Sequence, residues 1–171
     1  MALGSNLGDA LGGSERLLEA ALERFPAHGL FVKARSRWWR SAAWPDASAP
    51  AFLNGVALVE TDLTPEATLA ALLAIEGAFG RERSVRNAPR TLDLDLIAHE
   101  RAMRAGEALT LPHPRAHERL FVTGPLAEIA PAWVHPTLGV SAAVLAARAE
   151  VGLDARPVAG DSLHCGAGSA I

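Results

Sequence analysis

The chain has 171 residues, 50% apolar and 20% charged, with a formal net charge of −3. This globular balance is long enough to bury a core without staples, Cys165 as sole cysteine excludes a disulfide framework, and the acidity argues against a general nucleic-acid binder, which needs a basic face. No apolar run approaches the roughly 20 residues of a membrane span, and Met1-Ala2-Leu3-Gly4 is no signal peptide, so a reducing cytoplasm is the expected home.

Met1 to Leu3 is a short first element, cut off by Gly4-Ser5-Asn6-Leu7-Gly8-Asp9. Leu17, Leu18, Ala21, Leu22 and Phe25 recur at helical spacing, with Ser14 as N-cap and Pro26 as stop. Leu30 to Trp39 alternates in residues that favour β structure and predicts a strand. Arg40 to Pro50 predicts a long loop, and Phe52 to Thr61 a second strand. Thr64-Pro65-Glu66 is a helix start, an N-cap threonine followed by proline at the first helical position. That helix runs to about Phe79, with Leu69, Leu72, Leu73 and Phe79 on one stripe. Gly80 to Thr91 is a polar loop, and Leu92 to His99 a third strand. The order β-α-β-β-α-β predicts an α+β, ferredoxin-like fold, an antiparallel sheet with two helices on one face. C-terminal additions follow: a Pro-rich turn at Leu111 to Pro114, a helical stretch near Arg115 to Val122, and a helix near Ser141 to Ala149. A single domain over 1–159 is expected, with 160–171 as a flexible tail.

In Leu92-Asp93-Leu94-Asp95-Leu96 the leucines point to the core and the two aspartates share the other face. Their Cα atoms are roughly 6.6 Å apart at about 3.3 Å per residue. Two such carboxylates repel unless a cation lies between them. Magnesium takes one or two carboxylates together with substrate phosphates and water; the alternative is an ordinary solvated strand face. Directly upstream, Arg81, Arg83, Arg86 and Arg90 crowd into ten residues. They suit bidentate contacts to a triphosphate, or else pair in solvent with Glu76, Glu82 and Asp93. Together, arginines and paired aspartates have the composition of a metal–polyphosphate site without a Walker loop. Glu76 falls on the apolar stripe of its helix, so it needs a partner or ligand, or bends out to solvent near the helix end.

Phe52 and Phe121 could hold a flat heterocycle, with Asn54 at its edge, or could be ordinary core residues. His113 and His117 are four apart, but Pro114 interrupts a zinc-binding spacing and no third ligand accompanies them. Phosphate contacts from His113 and Arg119 are the more economical reading.

Four runs appear in order: Gly4-Ser5-Asn6-Leu7-Gly8, Phe52-Leu53-Asn54, Pro89-Arg90-Thr91-Leu92-Asp93-Leu94-Asp95-Leu96 and Leu111-Pro112-His113-Pro114-Arg115. Over roughly Met1 to Leu145 the chain thereby resembles the 6-hydroxymethyl-7,8-dihydropterin pyrophosphokinases of folate biosynthesis, whose fold is ferredoxin-like α+β. The resemblance implies transfer of a diphosphate from ATP to the pterin hydroxymethyl group. It implies two Mg2+ ions on Asp93 and Asp95, and a catalytic set of Arg81, Arg90, Asp93 and Asp95. ATP contacts are implied at Glu76, Arg81, Arg83, Arg90, Thr110, His113 and Arg119, and pterin contacts at Ser41, Ala42, Trp44, Phe52, Asn54 and Phe121. The expected partners are these small molecules, with no nucleic acid or membrane, in a monomer or weak dimer. Asn87-Ala88 stand where bacterial members have Trp-Gly, and Pro114 replaces an aromatic of some members. The first strand is also shorter than usual, so that it is clipped or the true start lies upstream. A nucleotidyltransferase with the same Asp-x-Asp geometry would need a basic groove that the acidity disfavours. A non-enzymatic ferredoxin-like ligand module gives no reason for arginines beside paired carboxylates.

Overall fold

The computed structural model describes residues 1–6, 13–43, 48–80 and 92–165. Among them the elements are β1 (Ala2–Ser5), α1 (Gly13–Arg24), β2 (Phe31–Arg35), β3 (Trp39–Ser41), β4 (Phe52–Glu60), α2 (Pro65–Ala78) and β5 (Asp93–Asp95). The hairpin strands β6 (Arg104–Ala105) and β7 (Thr110–Leu111) come next. Then follow α3 (Leu120–Ile129), α4 (Ala142–Arg148), β8 (Arg156–Pro157) and β9 (His164–Cys165). The main sheet runs β5-β1-β4-β2-β9, with β3 paired to both β4 and β8. Its pairings are antiparallel, and the architecture is α+β.

Strand alternation sorts the sheet into two faces. Leu3 and Leu94 lie directly opposite each other and are buried with Leu18 and Ala21 of α1 and Leu72 and Ile75 of α2. One residue along, Ala2 and Val56 face the other way and join Val122 and Leu126 of α3 and Ala142 of α4. Helices thus cover both faces, whereas the sequence expectation put the two early helices on one face and left the later ones unplaced. The second layer lies on the side of the sheet to which the aspartates point. Close approach of α3 rests on Gly124, where a Cβ would stand 2.6 Å from the Trp39 ring.

Several boundaries differ from the sequence reading for local reasons. The strand expected from Leu30 to Trp39 is broken at Ser36 into β2 and β3. There Ser36 Oγ accepts the Val56 N–H and donates to Arg37 O, which competes with regular pairing. Ser14 lies inside α1, after Gly13, and Pro26 lies inside a 3-10 turn over Phe25–His28 that Gly29 ends at φ 74°. Regular pairing of the strand expected from Leu92 to His99 is confined to Asp93–Asp95, since β1 supplies partners only from Ala2 to Gly4. The helical stretch expected to end near Val122 continues as α3 to Ile129. Thr64 does cap α2, accepting from Ala67 N–H, and Ser141 caps α4, accepting from Val144 N–H. No helix among the described residues is long and apolar enough to cross a membrane.

Candidate active site

The site grows from β1, because Gly4 has register partners on both sides. These are Asn54 on β4 and Asp93 on β5, while Ala2 lies between Val56 and Asp95. Directly opposed residues of an antiparallel pair share a face. Asp93, Asp95 and Asn54 therefore rise together from the side of the sheet that α3 covers. A Cβ on Gly4 would stand 3.5 Å from Asn54 Oδ1 and 3.9 Å from Asp93 Cβ. The missing side chain keeps a floor between the amide and the carboxylate at backbone height.

Asn54 is held in one orientation. It is buried, and its Nδ2 donates to Ser41 Oγ at 3.0 Å, which turns Oδ1 toward the Gly4 floor. Phe52, two residues earlier on the same face, lies opposite Ser41 in the β3–β4 register. Ala42 follows, its N–H donating to Asp154 Oδ2 at 2.5 Å.

The aspartate strand is anchored from below. Glu76 on α2 is only 2% exposed, and its Oε1 accepts the Leu94 N–H at 2.7 Å. Of the two outcomes the sequence allowed, the buried partner is the one observed, not a bend to solvent. An edge-strand amide that would otherwise be stranded in the core finds its acceptor there, and the bond sets the height of Asp93 and Asp95 on either side of it.

His113 and Arg119 arrive from the far end of the chain. The His113 N–H donates to Ile97 O at 2.8 Å, and its Nδ1 accepts the Arg115 N–H at 3.2 Å. In the neutral ring the proton is then on Nε2, free to be donated outward. Burial holds the His113 pKa below its usual value, a shift that Asp95 opposes, Arg119 adds to and Asp93 opposes. Arg119 is likewise lowered by burial and then by Arg115, against the pull of Asp95 and Asp93. These influences place His113 and Arg119 within electrostatic reach of both aspartates. Arg119 also places its guanidinium carbon 5.8 Å from the ring centroid of Phe121. Phe121 lies in the first turn of α3 and packs on the cluster around Ala2 and Val56, hence on the aspartate side of the sheet.

The structure thus brings Asp93, Asp95, Asn54, Ser41, Phe52, His113, Arg119 and Phe121 to one side of the sheet. Thr110 is exposed on β7, its Oγ1 donating to Gly106 O at 3.2 Å. Arg81, Arg83, Arg86, Arg90 and Trp44 lie outside the described residues. No group of three or more His, Cys, Asp and Glu among the described residues could hold a metal ion alone. Two hard carboxylates nevertheless fit magnesium, which takes its remaining ligands from phosphate and water. Sequence reasoning missed Asp154, and also Gly152 behind Phe121, because no local pattern marks residues that act across the chain from far downstream.

The profile of the 7,8-dihydro-6-hydroxymethylpterin-pyrophosphokinase family matches residues 1–131. A 2-amino-4-hydroxy-6-hydroxymethyldihydropteridine pyrophosphokinase of Methylorubrum extorquens is 43% identical over 132 residues, 77% of this chain and 81% of that protein. A protein of the same name from Synechocystis is 42% identical over 137 residues, 80% and 68% of the two chains. The folic acid synthesis protein fol1 of Pneumocystis carinii is 37% identical over 143 residues, 84% of this chain and 19% of that longer one.

Proposed function

The chain belongs to the 7,8-dihydro-6-hydroxymethylpterin-pyrophosphokinase family, and on that premise we propose how its residues serve the pyrophosphokinase reaction of folate biosynthesis. The hydroxyl oxygen of 6-hydroxymethyl-7,8-dihydropterin bonds to the β phosphorus of ATP, the bond between that phosphorus and the bridging oxygen to the α phosphorus breaks, and AMP leaves. The hydroxyl proton passes to solvent. Such transfers depend on positioning and on neutralising phosphate charge.

Asp93 and Asp95 would hold two Mg2+ ions, which when bound neutralise phosphate charge and acidify the attacking hydroxyl. The Nε2–H of His113 and the guanidinium of Arg119 bind phosphate oxygens beside them, and Arg81, Arg83 and Arg90 complete the polyphosphate grip. Thr110 belongs to the nucleotide side with His113, and Glu76 serves it through the Leu94 anchor. On the pterin side, Phe52 and Phe121 hold the ring by its faces, and Asn54 Oδ1 accepts from its edge over the Gly4 floor. Ser41, Ala42 and Trp44 border it. The order β5-β1-β4-β2, with α1 and α2 as crossovers, supports a ferredoxin-like reading of the core.

The observation that supports this reading is the sheet row Asp93–Gly4–Asn54, which sets a carboxylate and an amide side by side across a glycine. Its test is Asp95→Asn. The leucines on the opposite face keep the core intact, so the variant should fold with unchanged circular dichroism while turnover falls about a hundredfold to a thousandfold, the range for lost transition-state electrostatics. Near-normal turnover in a folded Asp95→Asn protein at millimolar magnesium would overturn the metal assignment.

A further inference from the structure

Residues 150–154 lie past the end of the family match at residue 131, yet they touch both walls of the site. On one side they are laced to the chain before α3. The Glu150 and Val151 N–H groups both donate to Glu118 O at 2.9 Å, Leu120 N–H donates to Val151 O at 2.8 Å, and Arg119 and Val151 form a parallel bridge. Gly152 follows directly behind Phe121. A Cβ there would stand 2.9 Å from Cε1 of that ring and closer still to Cδ1. Gly152 also has φ 71°, in the left-handed region that favours glycine, so both space and backbone specify it. On the other side Asp154 reaches across to the Ala42 N–H, immediately after Ser41, which holds Asn54. The Gly152 carbonyl accepts Ala155 N–H at 3.0 Å and closes the turn between the two contacts.

We propose that residues 150–154 are a clasp for the pterin pocket, in which Gly152 seats the Phe121 ring and Asp154 holds the Ser41–Ala42 wall at a fixed distance from it. This rests on the functional reading above, since it needs Phe121 and Ser41–Ala42 to border the pterin. Gly152 and Asp154 are positioning residues, and neither has to meet the substrate. A flat ring held by its faces is sensitive to the separation of its walls, so the clasp sets affinity for the heterocycle while leaving the nucleotide side untouched.

The test is calorimetric binding of 6-hydroxymethyl-7,8-dihydropterin and, separately, of a non-hydrolysable ATP analogue with magnesium, to the full chain. Asp154→Ala should weaken pterin binding about tenfold, which is about 1.4 kcal/mol, with the nucleotide affinity within about twofold of the parent. Asp154→Asn keeps an acceptor oxygen and should restore most of the loss. Gly152→Ala should weaken pterin binding further, by displacing the Phe121 ring. Asp161→Ala is the control. Asp161 accepts Trp38 N–H and pairs with Arg35, so this variant loosens the C-terminal segment away from the pocket. It should lower thermal stability without changing pterin affinity. Equal loss of pterin and nucleotide binding in Asp154→Ala, or pterin loss of the same size in Asp161→Ala, would reduce the segment to general stabilisation and overturn the clasp. Unchanged pterin affinity in both Asp154→Ala and Gly152→Ala would overturn it as well. A parent protein that binds the nucleotide but no pterin would instead overturn the functional reading beneath it.

Discussion

Replacing Glu76 separates its two contributions to the site, filling of the core and acceptance of one backbone amide. Its carboxylate oxygen meets the Leu94 N–H at 2.7 Å in a position only 2% exposed. Glu76→Ala strands that amide, at about 1–3 kcal/mol for an unsatisfied buried donor, and leaves a cavity beside Leu72 and Ile75 that adds about 1–2 kcal/mol. Glu76→Leu fills the space but leaves the amide orphaned, so its loss should be confined to the first part. Glu76→Gln keeps an oxygen in place and should cost under about 1 kcal/mol. Urea unfolding measures all three, and in a thermal scan the alanine variant should melt roughly 4–20 °C lower, at about 2–4 °C per kcal/mol for this size. Because β5 would lose its anchor, Glu76→Leu should also lose turnover out of proportion to its stability. An alanine variant within about 0.5 kcal/mol of the parent would refute the anchoring role.

Two further outcomes follow from single contacts. Gly4→Ala introduces a methyl at ordinary contact distance from Asn54 and Asp93; it should fold normally yet raise the pterin KM about tenfold or more by lifting the floor, and an unchanged KM would remove Gly4 from the pocket. His135 is buried, and its Nδ1 accepts two N–H groups, from Thr137 at 3.3 Å and Leu138 at 3.2 Å. Burial and then His117 keep its pKa below the usual value. The folded state therefore binds fewer protons than the unfolded one near pH 6. The associated stability should be fully present above about pH 6.5 and decline as pH falls through the folded pKa. Proton NMR should give the His135 ring a midpoint under 6.5, and a midpoint above that value would contradict the hydrogen-bond assignment.

The sequence is most legible where one element carries its own signal. The shared face of Asp93 and Asp95 follows from strand alternation alone, and the Thr64 cap with Pro65 marks the start of α2 to the residue. Asn54 and Phe52 sit on a nine-residue strand whose apolar pattern is unmistakable. What stays hidden is what depends on a distant partner. Ser36 breaks the Leu30–Trp39 run because its hydroxyl finds Val56, twenty residues ahead. Glu76 reads as an anomaly on an apolar stripe until Leu94 supplies a donor. The later helices are expected from the sequence but their place as a second layer is not, because α3 contains Pro125 and no clear stripe, and packs by way of Gly124 under Trp39. Strand β9 at His164–Cys165 pairs with β2 in a stretch too polar and short to announce itself. Gly152 and Asp154 are the extreme case, meaningful only against Phe121 and Ala42.

In the proposed function, one face of the sheet combines a metal–polyphosphate site on Asp93 and Asp95 with a heterocycle pocket at Asn54. Product analysis after incubation with Mg-ATP and 6-hydroxymethyl-7,8-dihydropterin tests both halves at once. AMP and the pterin diphosphate should form in equal amounts, with no nucleotide consumed when the pterin is omitted. ADP as the main nucleotide product, or ATP breakdown that does not depend on the pterin, would contradict it.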